Sequence, residues 1–170
     1  LARLCQHQFW EAPVAGLPVL AVAISPNGRY VASVHGQWGS DESEPIHVWD
    51  VETGQLLWDL RGHVASVFDV SFSPDGESLL SCGHSWTDKQ ATGGAIVWKL
   101  TDGTPRFRID DVNSLVGRYS PDGQTFLLAA TSGIITQHSS TTGKRIRDFL
   151  GSSRGFVDVA FGPGGQQFVS

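Results

Sequence analysis

The sequence lacks methionine and is poor in cysteine and in charged residues. Its 170 residues include only Cys5 and Cys82, and 17% of its positions are charged, against about 25% in typical soluble domains. Neither cysteine belongs to a CxxC pair or has a histidine at metal-ligand spacing, so the sequence gives no signature of a disulfide framework or a zinc site. Two buried thiols are the simpler interpretation. Because the chain begins at Leu1 without an initiator, we expect it to be part of a longer protein.

Long apolar runs and a strong net charge are also absent. The apolar stretch at residues 17–24 is far shorter than the ~20 residues that a membrane-spanning helix needs. No charged segment followed by an apolar one opens the chain, as a secretory signal would require. We therefore expect a cytoplasmic protein with no membrane partner. The formal net charge of −5 argues against a nucleic-acid partner, and the 40% apolar content is enough for a packed core.

Catalytic motifs are missing from the sequence. It contains no GxSxG, HExxH, P-loop or GxGxxG pattern. We therefore expect a protein that is not an enzyme and that uses no cofactor.

One tight turn occurs four times along the chain. It reads Ser-Pro-Asn-Gly at 25–28, Ser-Pro-Asp-Gly at 73–76 and 120–123, and Gly-Pro-Gly-Gly at 162–165, so the copies are nearly evenly spaced. Each copy has a proline, which fixes φ, at its second position and a glycine, which tolerates positive φ, at its fourth. The chain is therefore built from repeats of similar length.

The segments around each turn also repeat. An alternating apolar run precedes the turn, as at residues 67–72, and a second short run follows it, as at 78–82. A third run, such as 95–98, ends in tryptophan and leads through another turn into a fourth. Nothing in the unit has the length and period of a helix. A unit of four short strands cannot bury both of its faces alone, so the pattern predicts stacked units in a β-propeller.

These residues resemble the WD40 repeat family. The resemblance is carried by the Ser-Pro-Asp-Gly turns, by Trp49-Asp50 followed by Thr53-Gly54, and by Gly62-His63 placed ten residues before Ser73. It implies an all-β propeller of four-stranded antiparallel blades, with an incomplete ring of about 3.5 blades. We expect the end of a preceding blade at 1–16, blades at 17–60, 61–109 and 110–150, and the first two strands of another blade at 151–170.

The resemblance also implies a buried hydrogen-bond chain in the second blade. Carried over by position, its members are His63, Ser81 and Trp98, with Asp88 as a fourth member. Asp88 lies ten residues before Trp98, farther than the family's usual turn allows. In the third blade His138 stands where tryptophan is expected, so that blade is expected to be degenerate.

The first two blades carry inserts between their second and third strands. The stretch from the turn serine to the third-strand tryptophan site is nearly the same at 25–49 and 73–98, but it is clearly shorter in the third blade, at 120–138. Trp38 and Trp86 stand at equal separations from their turn serines. Two interpretations stay open: both rings are anchors for a partner, because tryptophan dominates binding hot spots, or each ring folds back and holds its own insert in place.

Charge divides the chain in two. Residues 1–88 hold three basic and eleven acidic side chains, and residues 89–170 hold nine and six. The acidic half could attract a basic segment of a partner, or its acidic run could simply be a solvated loop. A metal site of His35 and His84 with Asp41 and Asp88 is a further alternative. Our candidates for interaction are Trp38, Asp41, Glu42, Glu44, His84, Trp86 and Lys89.

The sequence favours a non-catalytic scaffold that binds a protein or peptide through these inserts. One alternative is a sensor or substrate-positioning module of a larger signalling protein or enzyme. Another is a quinoprotein-like propeller enzyme, because Thr53-Gly54 followed by Trp58 resembles the tryptophan docking segment of that class. An open arc exposes sheet edges, so the remaining blades are expected in the same chain or from oligomerisation.

Overall fold

The computed structural model describes residues 16–37, 39–40, 42–86, 93–151 and 158–170. These residues form strands, turns and loops, and no helix that could cross a membrane occurs among them. The prediction of an all-β, partial propeller is confirmed by three four-stranded antiparallel sheets and one two-stranded sheet.

Each four-stranded sheet is one blade with its strands in chain order. The first blade consists of β1 (Val19–Ile24), β2 (Tyr30–His35), β3 (Ile46–Asp50) and β4 (Leu56–Leu60). The second consists of β5 (Val67–Phe72), β6 (Ser78–Gly83), β7 (Ala95–Lys99) and β8 (Pro105–Ile109). The third consists of β9 (Ser114–Tyr119), β10 (Thr125–Ala130), β11 (Ile134–Ser139) and β12 (Arg145–Leu150), and β13 (Ala160–Phe161) pairs with β14 (Phe168–Val169).

The repeated tight turns join the first two strands of each blade. In the second blade Gly76 donates its N–H to the carbonyl of Ser73 at 2.9 Å, and the Ser73 hydroxyl accepts from the N–H of Ser78 at 2.9 Å. The fourth-position glycines have φ near +70°, a backbone conformation that other residues adopt only at a cost. These turns therefore form for the reason that the sequence pattern indicated.

The hydrophobic core lies between neighbouring blades. One cluster joins Ala32, Val48 and Leu60 of the first blade to Val70 and Trp98 of the second. A second cluster joins the second and third blades, and a third joins the third blade to the β13–β14 sheet. The innermost strands β1, β5 and β9 contact one another in sequence. Each blade therefore buries its faces against its neighbours, as stacked repeats must.

A buried carboxylate also joins neighbouring blades. Asp69 on β5 accepts a hydrogen bond from the backbone N–H of Gly117 at 2.9 Å and forms an ion pair with Arg118 on β9. Arg118 reaches on to Asp158 at 3.2 Å. The sequence pattern gave no signal for this pairing, because it depends on how the innermost strands face one another.

The first strand of the arc leaves apolar side chains uncovered. Val19, Val22 and Ile24 on β1 are 55, 66 and 67% exposed. The side chains at the same positions of β5, which the first blade covers, are 1, 4 and 7% exposed in the order Val67, Val70 and Phe72. An apolar strand face of this kind promotes association with another copy.

We expect the isolated 170-residue chain to elute as an oligomer in size-exclusion chromatography with light scattering. Replacing Val22 and Ile24 by Lys should shift it toward the monomer, because charges on β1 oppose association. Val64→Lys is the matched control, since Val64 is 65% exposed outside the strands and should leave the oligomer intact. A monodisperse monomer of the unmodified chain would contradict this expectation.

Candidate functional site

A buried hydrogen-bond chain runs through the second blade. The Trp98 indole donates from Nε1 to the Ser81 hydroxyl at 2.8 Å, and that hydroxyl lies 2.7 Å from Nε2 of His63. On the other side of the ring, Nδ1 lies 3.1 Å from the carbonyl oxygen of Gly93. Every bond is satisfied when Nδ1 carries the proton and Nε2 accepts from Ser81. The structure thus brings together three of the four residues named from the sequence, and Asp88 lies outside the described residues.

Burial keeps His63 neutral. Removal of the ring from water lowers its pKa from about 6.5 to about 4. The neutral ring is also the form that the chain requires, since Nε2 must accept the Ser81 hydrogen. The side chain therefore has a structural role in this arrangement, with its proton fixed on Nδ1.

The low pKa of His63 predicts a pH-dependent stability. Because the unfolded chain binds a proton near pH 6.5 and the folded blade only near pH 4, the free energy of unfolding should fall as the pH drops across that interval. Above pH 6.5 this contribution is fully present. Urea unfolding at pH 7.5, 6, 5 and 4 measures it, and His63→Asn should show a weaker fall. An equal pH dependence in both chains would contradict the assignment.

The first blade builds a similar chain from a different histidine. Trp49 donates from Nε1 to the Ser33 hydroxyl at 3.1 Å, and Nε2 of His35 lies 3.0 Å from the same hydroxyl. His35 is two residues after Ser33 on β2, so both side chains lie on one face of the strand. Burial, followed by the nearby His47, lowers the pKa of His35. This role of His35 was not predicted from the sequence, because the family's histidine is expected in a Gly-His pair before the first strand.

The third blade keeps all four strands, but its described residues form no hydrogen-bond chain of this kind. Leu128 occupies the position of the central serine, eight residues after the turn serine. His138 is buried at the tryptophan position, where its Nε2 lies 2.8 Å from Thr136 Oγ1 and its ring stacks on Phe126 at 5.4 Å. Leu128 and His138, which depart from the repeat, are therefore both accommodated by packing within the third blade.

Neighbouring blades also contact each other where an aromatic ring of one blade packs against a glycine of the next. A Cβ atom on Gly103 would lie 2.5 Å from Trp58 Cδ1, and one on Gly143 would lie 2.6 Å from Phe107 Cδ2. In each case the ring belongs to the fourth strand of one blade and the glycine to the turn between the third and fourth strands of the next. The docking tryptophan noted in the sequence is thus one member of a series in which phenylalanine also serves.

The two inserts lie at the same edge of their blades. In an antiparallel blade the loop after the second strand and the loop after the fourth strand lie at one edge. We call this edge of the first two blades the insert face, and its residues are Ser40, Glu42, Ser66, His84 and Trp86. It is opposite the edge that holds the tight turns.

Ser66 joins the two inserts on the insert face. Its hydroxyl donates toward the carbonyl oxygens of Ser40 at 2.7 Å and Glu42 at 2.8 Å, both in the first insert. Its own carbonyl accepts the backbone N–H of His84, in the second insert, at 3.0 Å. Ser66, a buried residue directly before β5, therefore bonds to described residues of both inserts.

The second insert is held to the third blade by an equivalent contact. The Asn113 side chain accepts from the backbone N–H of Gly93 at 2.6 Å and of Ser85 at 3.3 Å. Asn113 and Ser66 each lie seven residues before a turn serine, directly ahead of a first strand. The repeat thus places a polar side chain at one position to anchor each insert, a signal that becomes visible once the turns are aligned.

Trp86 combines packing with exposure. Its ring makes perpendicular contacts with His84 at 4.4 Å and with Phe68 at 5.9 Å, and 42% of the residue remains exposed. His84 is buried, so its ring supports Trp86. Both interpretations from the sequence thus find a counterpart in the geometry of Trp86: it packs against its own blade and also faces solvent.

The acidic candidates extend the insert face. Glu42 is exposed and Glu44 half-buried, beside the buried Pro45 that leads into β3. Three further interaction candidates lie outside the described residues, namely Trp38, Asp41 and Lys89, and so does Asp88 of the alternative metal site. Within the described part of the chain, no group of three or more His, Cys, Asp or Glu side chains is arranged to hold a metal ion.

Comparisons with known proteins agree with this architecture. The family model described as "WD domain, G-beta repeat" matches residues 54–90. The chain is 36% identical over 164 residues to a periodic tryptophan protein 2 homolog of Schizosaccharomyces pombe, covering 94% of this chain and 18% of that protein. It is 33% identical over 116 residues to small ribosomal subunit protein RACK1y of Oryza sativa subsp. japonica, covering 66% of this chain and 30% of that protein.

A third relative, nuclear distribution protein PAC1 of Arthroderma benhamiae, is 30% identical over 109 residues, which cover 64% of this chain and 21% of that protein. The matches to periodic tryptophan protein 2 and its homologs span only 12 to 18% of the length of those proteins. The likeness therefore concerns one part of much longer chains.

Proposed function

Because this chain belongs to the WD40 repeat family, we propose that it is a non-catalytic interaction platform that binds a protein or peptide through the insert face of its first two blades. The observation that carries the proposal is the convergence of both inserts on Ser66. Loop segments that bond to one residue are held relative to each other, and such preorganisation reduces the entropy cost of binding.

We further propose that the partner offers a basic segment. Glu42 contributes an exposed carboxylate, and Trp86 contributes a partly exposed ring on the same face. A carboxylate attracts lysine and arginine, and an indole ring also binds their cationic groups. The acidic balance of residues 1–88 would steer such a segment toward this half of the arc.

Selection of a random peptide library, displayed on phage, against the purified chain tests the proposal. We expect the enriched peptides to carry Lys or Arg and to bind Glu42→Gln and Trp86→Ala about tenfold more weakly than the unmodified chain, a loss of about 1.4 kcal/mol each. Glu77→Gln, an exposed change next to the tight turn at the opposite edge, should keep full affinity.

Two outcomes would contradict the proposal. Enriched peptides without basic residues would contradict the claim that the partner offers a basic segment. Peptides that bind Glu42→Gln and Trp86→Ala with unchanged affinity would contradict binding at the insert face. Glu42→Gln replaces an exposed side chain, so its effect on affinity does not depend on a change in folding. Urea unfolding of Trp86→Ala shows whether that variant keeps its fold.

A further inference from the structure

The third blade has a recess on the same edge as the two inserts. Residues 131–133 join its second and third strands, whereas residues 36–45 and 84–94 join the equivalent strands of the first two blades. The third blade therefore has no insert over this edge. A recess of about 330 Å³ lies between this short turn, with the strands on either side of it, and residues 111–113. We call it the third-blade recess.

A smaller side chain at the tryptophan position opens the blade further. In the second blade the Trp98 ring reaches the residues ahead of β5, since a Cβ atom on Gly62 would lie 3.2 Å from Trp98 Cη2. In the third blade the smaller His138 is held by hydrogen bonds within its own blade. A second hollow, lined by His138 and by Asp111 and Arg145, therefore adjoins the third-blade recess, which the same Asp111 and Arg145 line.

The third-blade recess combines apolar walls with a charged mouth. Val112 and Ala130 are buried and Ile134 is half-buried, and all three line it. Asp111 and Arg145 are the exposed, charged part of the lining. A side chain with an aliphatic stem and a polar tip matches this division, because the stem can cover apolar surface while the tip reaches the mouth.

The charges at the mouth leave one carboxylate in excess. Arg145 donates from Nε to Asp148 at 2.5 Å, and this bond is the main reason why the pKa of Arg145 is raised. Its Nη1 lies 3.6 Å from Asp111, which is too far for a hydrogen bond. The nearby Arg108 is paired with Asp110 at 3.4 Å. Asp111 therefore keeps the capacity to accept from an incoming cation.

Asn113 connects the third-blade recess with the insert face. Its side chain lines the recess and also accepts the backbone N–H groups of Gly93 and Ser85 in the second insert. Trp86, which follows Ser85 directly, is the ring proposed above to bind a cationic group. A peptide that lies across the second insert can thus reach the recess along one edge of the arc.

We propose that the third-blade recess is a second binding site for a cationic side chain, with the aliphatic stem of a lysine or arginine on Val112 and Ala130 and its charged group on Asp111. The site itself stands on the geometry of the third blade. Its assignment to the partner of the insert face rests on the function proposed above. That partner then carries two basic residues, one for each site.

An NMR titration of the isotope-labelled complete chain with Nα-acetyl-lysine methylamide tests the site. We expect the side-chain amide of Asn113 and the backbone amides of Thr131 and Ser132 to shift at millimolar concentrations of this probe, because one side chain makes a weak contact. The norleucine derivative has a similar stem without the ammonium group and should bind about threefold more weakly. The arginine derivative should also bind, and the tighter of the two cations identifies the preferred guest.

Two variants at the mouth distinguish a cationic guest from an anionic one. Asp111→Asn should weaken binding of the lysine derivative about two- to fivefold, and Arg145→Gln should strengthen it about twofold, because it removes a competing cation. An anionic guest would give the opposite pair of effects. Both residues are exposed and their ion pairs contribute little to stability, so both variants should fold. Glu77→Gln, which removes an exposed carboxylate at the opposite edge, should leave the affinity unchanged.

Three results would overturn the proposal: no shifts at the recess, equal binding of the lysine and norleucine derivatives, or tighter binding of the lysine derivative to Asp111→Asn. None of them depends on the insert face, because the probe is a single amino-acid derivative.

The peptides selected on the unmodified chain test the link to the partner. Asp111→Asn should weaken their binding about threefold, and replacing one of their basic residues by norleucine should abolish this difference. Unchanged binding of these peptides to Asp111→Asn would contradict the link and leave the proposed binding at the insert face unaffected.

Discussion

Gly103→Ala should destabilise the chain far more than Gly28→Ala, although both glycines have φ near +70°. A left-handed conformation costs any alanine about 1 kcal/mol, and this term is the same at both positions. The environments differ: a Cβ on Gly28 meets nothing within 4 Å, whereas one on Gly103 would overlap Trp58. Overpacking of this kind costs a further ~1 to 3 kcal/mol. Urea unfolding should therefore give a loss of about 2 to 4 kcal/mol for Gly103→Ala.

The Trp58 ring can be tested as the cause of that difference. In a chain that already carries Trp58→Ala, the added cost of Gly103→Ala should fall to the cost of Gly28→Ala, because the overlap is gone. If Gly103→Ala and Gly28→Ala cost the same in the unmodified chain, the ring does not hold the two blades together at this point.

Ser81→Ala should cost about 3 kcal/mol of stability. The Ser81 hydroxyl is the centre of the second-blade chain, so its loss leaves the Trp98 indole N–H and the His63 Nε2 without their partner in a buried site. Each unsatisfied buried group costs about 1 to 3 kcal/mol. The third blade has Leu128 in place of this serine and His138 in place of the tryptophan, so no indole N–H is left there without its partner.

Ser71→Ala is the control for this prediction. Ser71 is a half-buried serine on β5 outside the hydrogen-bond chain, and its replacement should change the free energy of unfolding by less than about 0.5 kcal/mol. Equal effects of Ser81→Ala and Ser71→Ala would show that the chain does not stabilise the blade.

The repeat made the fold predictable from the sequence. Tight turns with proline and glycine at fixed positions, together with alternating apolar runs, indicate four short strands per unit, and such units must stack to bury their faces. The φ values and hydrogen bonds of the tight turns follow directly from residue type, as at Gly76 and Ser73. For the contact between Trp58 and the next blade, the sequence gave one sign only, a tryptophan shortly after Thr-Gly.

The proposed binding surface could be predicted from the sequence only in part. The inserts could be located by counting, but their convergence depends on Ser66, whose hydroxyl reaches the backbone of Ser40 and Glu42, far away in the sequence. Backbone acceptors carry no residue signature, so a pattern search cannot find them. His35 was missed for a related reason, since it reaches the central serine of its blade from the same strand and from no Gly-His motif.

The central claim is that Ser66 organises both inserts into one binding surface, and Ser66→Ala tests it most directly. This change keeps Glu42 and Trp86 in the sequence but removes the hydroxyl that holds the first insert. With a peptide enriched on the unmodified chain, isothermal titration should show about a tenfold loss of affinity for Ser66→Ala, or about 1.4 kcal/mol, and none for Ser71→Ala. Unchanged affinity in Ser66→Ala would show that the Ser66 hydroxyl does not organise a binding surface.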